Sequence, residues 1–187
     1  MQHATTFDGF RPSVFETLYY LKEWRASAKQ VANKQRLDEL FLVQPFELSE
    51  RSLSEKTHLL NSIYRTRIQH ELIVPGLMQL PDLEDRISNG DLSIIEDISG
   101  IEIPGSYQFA TKFCHHHNPI AYPFYTQEIL QELQRLNHRD KFFNKFFNER
   151  NYMDFYNMIQ AFRSHYGLET CSWFYIDILL KGCSTLN

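Results

Sequence analysis

The segment that decides the fold runs from Ser99 to Pro119 and has the sequence SGIEIPGSYQFATKFCHHHNP. Its Ile-Pro-Gly turn separates a short apolar stretch from Ser106–His117, a run that contains neither glycine nor proline. The pattern predicts two helices joined by a tight hairpin over residues 101–106. A helix that begins directly after a glycine presents unpaired backbone N–H groups, which suit a phosphate. A plain structural connector between two helices is the alternative interpretation of this turn.

The composition favours helices in the rest of the chain as well. Only 7 glycines and 7 prolines occur in 187 residues, whereas a β-sandwich or barrel needs a turn signal roughly every 8–12 residues. Aromatic residues are abundant, with 15 Phe, 10 Tyr and 2 Trp available for a core. We therefore predict an all-α protein that forms a single domain over 1–187, with two packed helical halves at about 12–100 and 101–182. A functional site is expected in the cleft between the halves.

Helix boundaries follow from capping patterns and from the positions of proline and glycine. The capping-box pattern Ser-x-x-Glu occurs at Ser13 and at Ser52. Proline favours the first helical turn and glycine the residue after the last turn. The predicted elements of the first half are a helix from Ser13 to a break at 43–46, a helix over 52–72 ended by Pro75-Gly76, a helix from Pro81 to Asn89-Gly90, and a short helix over 92–99 with Gly100 as left-handed cap.

The second half is poorer in turn residues and richer in aromatic residues. Its predicted helices cover about 106–117, 126–137, 140–165 and 170–181. The last of them has a composition that suits a strand equally well, but the chain offers no clear partner strand. Phe142, Phe143, Phe146 and Phe147 would form one stripe on a helix. Core packing is the expected role of that stripe, and a platform for stacking bases is the alternative.

Charge and hydropathy exclude several classes of protein. The net charge of −4 and the pI near 6.1 exclude the broadly basic surface of a non-specific nucleic-acid coat. No apolar run reaches the roughly 18 residues that a membrane-spanning helix needs. The N-terminal sequence MQHATTFDGFRPS lacks the basic and apolar regions of a secretory signal, and three cysteines without paired spacing argue against a disulfide framework. We expect a cytoplasmic protein with no cofactor and no membrane contact.

A family resemblance rests on the run from Phe109 to Pro119, FATKFCHHHNP, and on Tyr122-Pro-Phe-Tyr125. These residues resemble the pattern Phe-Ala-Ser-Lys-aromatic-x-His-x-His-x-Pro followed by Pro-x-Tyr-Asp. That pattern is found in small bacterial proteins similar to 8-oxoguanine DNA glycosylases, within the helix-hairpin-helix glycosylase superfamily. Weaker similarities lie at residues 61–68 and 175–180.

The resemblance implies a role for each matching position. Lys112 matches the lysine that attacks the sugar as a nucleophile, and its chemistry is that of an amine whose pKa is lowered for Schiff-base formation. The hairpin would hold DNA phosphate, and neighbouring side chains would contact the base or support the site. DNA is accordingly the expected partner. The implied nucleic-acid-binding residues are Pro104, Gly105, Ser106 and Tyr107, and the implied base-contact or supporting residues are His115, His117, Tyr125 and Thr126.

The sequence also departs from the family pattern. Thr126 stands where the pattern has its aspartate, and a neutral hydroxyl cannot stabilise the oxocarbenium ion that forms as a base departs. Tyr107 lies near the place of the second hairpin glycine, where close approach to a phosphate needs a residue without a side chain. The implied protein keeps the fold and binds DNA or a modified base, with degenerate catalysis. An acidic group from elsewhere, such as Asp97 or Asp177, would replace the aspartate if Lys112 lies at the floor of a cleft.

Other classes of function fit other residues. Arg65 and His70 have the loose Arg-x4-His spacing of HEPN-like helical ribonucleases, in which arginine stabilises the phosphorane and histidine moves protons. A solvated helix face is the simpler interpretation of the same residues. The run Cys114–His117 places only two side chains on one helix face, so no metal site is predicted. A helical interaction protein without chemistry is the remaining alternative.

Overall fold

The computed structural model of the protein describes residues 12–43, 47–101, 103–148 and 151–184. The N-terminal residues behind the localisation prediction, most of the predicted break at 43–46, and Glu102 of the hairpin lie outside these ranges. No β-strand occurs in the described ranges, so the predicted all-α class is confirmed. The helices are α1 (Val14–Ala26), α2 (Ala28–Asp38), α3 (Glu50–Tyr64), α4 (His70–Gln79), α5 (Leu83–Ser88), α6 (Ile94–Ser99), α7 (Ser106–His117), α8 (Gln127–Asp140), α9 (Tyr152–His165) and α10 (Trp173–Ser184).

Several predicted boundaries are confirmed because local capping sets them. Ser13 caps α1, accepting the Glu16 backbone N–H at 3.3 Å, and its hydroxyl bonds the Glu16 carboxylate. The hairpin helix α7 spans Ser106–His117 as predicted. Asn89 ends α5 and is followed by Gly90 in the left-handed region at φ +73°. Each of these signals acts within one helical turn, which is why the sequence alone locates them.

The predicted single helix from Ser13 to residue 43 is wrong, since the chain breaks at Ser27. Ser27 has an extended backbone (φ −85°, ψ 97°), and its hydroxyl accepts the Gln30 N–H that starts α2. After α2 the chain continues as a π-helical turn, Glu39–Val43. A serine in a polar stretch caps a helix as readily as it continues one, so this break carries no distinctive sequence signal.

The predicted helix over 52–72 is also wrong at both ends. Ser49 rather than Ser52 caps α3, and the helix stops at Tyr64 because Arg65 adopts a left-handed backbone (φ 53°). The side chain of Asn61 then holds the following loop: its Nδ2 donates to the Ile68 carbonyl at 2.7 Å and its Oδ1 accepts the Ile68 N–H at 3.1 Å. Those bonds replace the helical ladder over residues 65–69.

Proline and glycine signals misplace two further boundaries and mispredict one backbone conformation, although Gly100 does follow the last residue of α6. Pro75 and Gly76 lie inside α4 instead of ending a helix. A Cβ on Gly76 would lie 2.8 Å from Ile101, so this glycine permits close packing. The third helix begins at Leu83, two residues after Pro81, and Gly100 has a right-handed backbone (φ −70°) rather than the predicted left-handed one.

The predicted helix over 140–165 exists only from Tyr152 onward. Lys141 ends α8 with φ 54°, and residues 141–148 are not helical. Asn137 Oδ1 accepts the Phe143 N–H at 2.7 Å, and Asn137 Nδ2 donates to the Phe143 carbonyl at 2.9 Å. These two hydrogen bonds hold the turn after α8. The predicted aromatic stripe is therefore wrong: Phe143 is buried, whereas Phe146 is 89% exposed.

Two sets of helix contacts position the candidate site. Near the hairpin, α7 packs against α6, α3, α5 and the π-helical turn. On the other side, α10 packs against α1 and α8, and α9 packs against α8. In the described part of the chain, no helix is both long enough and apolar enough to cross a membrane. The division into halves near residue 100 stays a prediction.

Replacing Gly182 with alanine is expected to destabilise the contact between α10 and α1. The added Cβ would lie 2.3 Å from the ring of Tyr20, a buried residue of α1. Such overpacking costs about 1–3 kcal/mol, and the helix propensity gained by alanine offsets up to about 1 kcal/mol of that. Urea unfolding should show a net loss of about 1–2 kcal/mol.

The matched control for this prediction is Gly100→Ala. Its Cβ would meet only backbone carbonyls at 3.3 Å or more, and its φ suits alanine. We expect a change within about 1 kcal/mol. Equal free energies of unfolding for the two variants would contradict the described packing of α10 on α1.

Candidate functional site

A cavity of about 510 Å³ opens between the two sides of the molecule. Its lining comes from α1, α2, the π-helical turn, the end of α3, the C-terminal end of α7, the loop after α7, and α10. Residues as far apart in the chain as Tyr20 and Gly182 contribute to this lining. The volume lies within the range of roughly 300–1,000 Å³ typical of small-molecule sites.

Aromatic rings form much of the cavity wall. Trp24 of α1 and Phe174 of α10 meet edge to face with centroids 5.1 Å apart. The ring centroid of Tyr64 lies 5.3 Å from that of Phe124, and both residues line the cavity. The ammonium of Lys181 lies 4.7 Å from the Phe124 ring centroid. The wall thus offers flat apolar surfaces on which a planar ligand can stack.

Four charged groups of the lining form two ion pairs. Lys34 forms an ion pair with Asp38, and Lys181 donates to Asp177 Oδ2 at 2.8 Å. The second carboxylate oxygen, Asp177 Oδ1, is buried and has no hydrogen-bond partner among the described residues. A buried acceptor without a donor costs free energy, so an N–H group that reached this oxygen would be stabilised.

Two neutral histidines line the cavity beside these groups. His115 is buried, and its Nδ1 lies 2.7 Å from the Tyr122 carbonyl oxygen. Because a carbonyl only accepts, Nδ1 carries the proton and Nε2 is left as an acceptor. Burial lowers the pKa of His115 to about 4, and burial likewise lowers the pKa of His116. His116 Nε2 is hydrogen-bonded to the Tyr64 hydroxyl at 2.9 Å.

Lys112 lies behind the aromatic wall rather than on it. The side chain is 5% exposed, and Nζ donates to the Gln108 carbonyl of its own helix at 3.2 Å. The ammonium lies 5.7 Å from the ring of Tyr64 and 5.8 Å from that of Phe124. Burial, and then the nearby charge of Lys181, lowers the pKa of Lys112 to about 8. Lys112 therefore contacts two wall residues of the cavity without lining it.

The hairpin forms between α6 and α7 and is closed by its own backbone. Gly105 has φ +87°, and a Cβ at this position would lie 3.1 Å from the Thr66 carbonyl oxygen. The absence of a side chain at Gly105 therefore lets the hairpin backbone lie close to the loop of residues 65–69. The Ser106 N–H donates to the Ile103 carbonyl at 3.1 Å and its hydroxyl donates to Ser99 at 2.8 Å. Pro104 and Gly105 are exposed. Phosphate binding at this turn stays a prediction.

The remaining residues implied by the family pattern lie in packed positions. Tyr107 meets Tyr125 edge to face at 5.1 Å, and its buried hydroxyl has no hydrogen-bond partner in the described ranges. Thr126 caps α8, accepting the Ile129 N–H at 3.2 Å. His117 packs on aromatic rings, 4.6 Å from Phe113 between centroids. Among the predicted base-contact residues, His115 is the one that lines the cavity.

The alternative ribonuclease residues are not on one helix. Arg65 is the exposed residue that ends α3, and His70 is the first residue of α4. The ring centroid of His70 lies 4.3 Å from that of His58. The Nε2 atom of His70 lies 3.2 Å from the Glu71 carboxylate. The predicted placement of Arg65 and His70 inside one helix is thus wrong. No cluster of three His, Cys, Asp or Glu side chains in the described ranges is arranged to hold a metal ion.

Sequence reasoning missed most of the cavity lining. Trp24, Lys34, Phe174 and Lys181 carry no motif. Phe124 lies in the segment 122–125 of the family pattern but had no predicted role, and Asp177, within the weaker similarity at 175–180, entered as one possible acidic substitute. A faint signal exists in α10, where Asp177 and Lys181 are four residues apart in an otherwise apolar stretch. That spacing puts both on one face of the helix, as an ion pair facing a site or solvent.

The protein is all-α and contains a cavity with aromatic residues in its wall. The chain belongs to the family HI_0787_N, described as an N-terminal domain, whose model matches residues 16–121. A protein of Haemophilus influenzae, named only as an uncharacterized protein, is 36% identical over 87 residues. That match covers 44% of this chain and 43% of the relative, so the chain spans less than half the length of this relative. No solved structure matches the chain.

Proposed function

We propose that the protein is a DNA glycosylase-like protein that binds a modified base in the aromatic cavity and is degenerate in catalysis. The observation that carries the proposal is the cavity itself, with rings on its walls and an unpartnered carboxylate oxygen of Asp177 at its side. Proteins that take a base out of a stack hold it between aromatic or apolar side chains and bind its edge by hydrogen bonds. The resemblance around Lys112 adds the family context.

The polar groups of the lining favour a ligand that brings N–H donors. Asp177 Oδ1 and His115 Nε2 are acceptors, and the ammonium groups of Lys34 and Lys181 are already paired with carboxylates. An oxidised guanine carries several N–H groups along its edges. Such an edge would supply the donor that the Asp177 oxygen lacks, while the ring stacks on the wall.

The position of Lys112 supports binding without base excision. A pKa of about 8 leaves part of the amine uncharged near neutral pH, which suits a nucleophile. The amine is nevertheless enclosed behind Tyr64 and Phe124 and bonded to Gln108. Nucleophilic attack needs the reacting atoms at about 3–3.5 Å, and the aromatic wall stands between this amine and a ligand in the cavity.

Binding of the 8-oxoguanine nucleoside, measured by calorimetry, tests the proposal. We expect saturable binding to the wild-type protein and at least about tenfold weaker binding to Asp177→Asn, because a hydrogen bond to a charged group is worth about 1.5–3 kcal/mol. Asp97→Asn is the matched control, since Asp97 pairs with Arg86 and does not line the cavity. The proposal is overturned if neither the nucleoside nor an oligonucleotide carrying 8-oxoguanine binds, or if both variants bind like the wild type.

Borohydride trapping with the same oligonucleotide tests the catalytic part. We expect no covalent adduct with the wild-type protein. An adduct that disappears in Lys112→Met would show that Lys112 reaches the sugar and that the protein is an active enzyme.

A further inference from the structure

Helix α2 lines the cavity along one side and buries little of its own surface. Its lining residues recur at helical spacing, at positions 30, 33, 34, 37 and 38. Among the described residues of this helix, only Leu37 is buried. A helix with so few buried apolar contacts opens more readily than the core helices around it.

Both ends of α2 are breaks in the α-helical backbone. At Ser27 the chain is extended between α1 and α2, and after Asp38 it continues as the π-helical turn. The main packing contacts of α2 are with these two chain neighbours. The π-helical turn is itself fixed to α7 by Phe41, whose ring centroid lies 6.1 Å from that of Phe113. Segments that move over a ligand turn about a few residues at the ends of elements, and α2 has such a position at each end.

Lys34 connects α2 with α10. Its ammonium lies 5.1 Å from the ring centroid of Phe174 and forms an ion pair with Asp38 of its own helix. The side chains of Lys34 and Asp38 are 37% and 38% exposed, so solvent weakens both interactions. This connection can therefore break and form again without disturbing the core.

Gln30 and Asn33 are the amide side chains of the lining. Within the described ranges, neither amide group forms a hydrogen bond with another protein group. The charged residues of the lining are the exposed Glu23 and the ion pairs Lys34–Asp38 and Asp177–Lys181. An amide offers both N–H donors and a carbonyl acceptor, so Gln30 and Asn33 can pair with the polar edge of a planar ligand.

We propose that α2 is a lid that closes over the ligand and recognises its polar edge through Gln30 and Asn33. This role rests on the proposed function, in which the ligand is a modified base stacked on the aromatic wall. Asp177 Oδ1 and His115 Nε2 are acceptors, and they suit the N–H groups of such a base. The amide N–H groups on α2 suit its carbonyl oxygens, and closure of α2 brings them to the ligand.

Calorimetry with the 8-oxoguanine nucleoside tests the amide contacts. We expect Gln30→Ala and Asn33→Ala each to bind about 3- to 10-fold more weakly than the wild type, which corresponds to one neutral hydrogen bond. Gln35→Ala is the matched control and should bind like the wild type, because Gln35 is exposed on the same helix and does not line the cavity. If the wild type binds and both cavity variants bind equally tightly, the role of the amides is overturned while the proposed function stands. Absence of binding to the wild type overturns both.

Hydrogen exchange tests the movement of α2. In the free protein we expect the backbone amides of residues 28–38 to exchange at least about tenfold faster than those of α7, and to slow when the nucleoside saturates the protein. Helix α9 does not line the cavity, so its exchange should stay unchanged. The measurement on the free protein needs no ligand and therefore tests the lid separately from the proposed function. Exchange in α2 as slow as in α7, or no slowing in the saturated protein, overturns the lid.

Discussion

Lowering the pH from 7 to 4 is expected to remove about 3 kcal/mol or more of the free energy of unfolding. His115 is buried with a folded-state pKa of about 4, because desolvation disfavours its charged form, whereas the unfolded side chain titrates near 6.5. Between these two pKa values the unfolded chain binds more protons than the folded chain. The free energy of unfolding is therefore highest above pH 6.5 and decreases as the pH drops. The pKa values of His116 and His117 are lowered by burial in the same direction.

Urea unfolding at intervals from pH 7 to pH 4.5 measures this dependence before most carboxylates titrate. His115→Asn retains an N–H donor for the Tyr122 carbonyl but does not titrate, so it should show a shallower slope than the wild type. His138→Asn is the control, because His138 is exposed. A flat wild-type profile over this range, or identical slopes for wild type and His115→Asn, would contradict neutral burial of the histidine.

Phe113→Ala is expected to cost about 3–5 kcal/mol of the free energy of unfolding, a large part of the 5–15 kcal/mol typical of a domain. Phe113 is fully buried on α7. Its ring lies 5.4 Å from Phe109 and 6.1 Å from Phe41 of the π-helical turn, so it joins two elements. Truncation leaves a cavity between them that the rigid neighbours do not fill.

Equilibrium urea unfolding of Phe113→Ala and Phe146→Ala provides the comparison. Phe146 is 89% exposed, and its truncation should change stability by no more than about 0.5 kcal/mol. If Phe113→Ala is too unstable to purify, Phe113→Leu should show a smaller loss by the same mechanism. Similar losses at positions 113 and 146 would contradict the assignment of Phe113 to the core and Phe146 to the surface.

The sequence predicted α7 correctly because its limits are local. Gly105 supplies a backbone conformation that other residues rarely adopt, and Asn118-Pro119 ends the helix within one turn. The breaks at residues 65–69 and 141–148 escaped prediction. At these breaks the side chains of Asn61 and Asn137 form hydrogen bonds with backbone groups seven and six residues later in the chain. These bonds compete with the backbone hydrogen bonds of a continuous helix.

The candidate site was predicted less well than the fold. Lys112 and His115 were singled out, but only His115 lines the cavity, and Thr126 is explained as the cap of α8. The pKa of Lys112 is lowered by burial and by Lys181, a residue nearly 70 positions later in the chain. No pattern around Lys112 contains that information.

The sequence by itself determined the helical class, the hairpin and the helix that follows it, because caps, turns and propensities act over a few neighbouring residues. Only the tertiary structure decided that Trp24, Phe124, Phe174 and Asp177 share one cavity and that Lys112 stands behind its wall. It also decided that Tyr20 and Leu21 of α1 are buried, whereas Phe15 and Leu18 are exposed. Burial and the electrostatic environment depend on which helices meet, and the packing of α10 on α1 joins residues more than 150 positions apart.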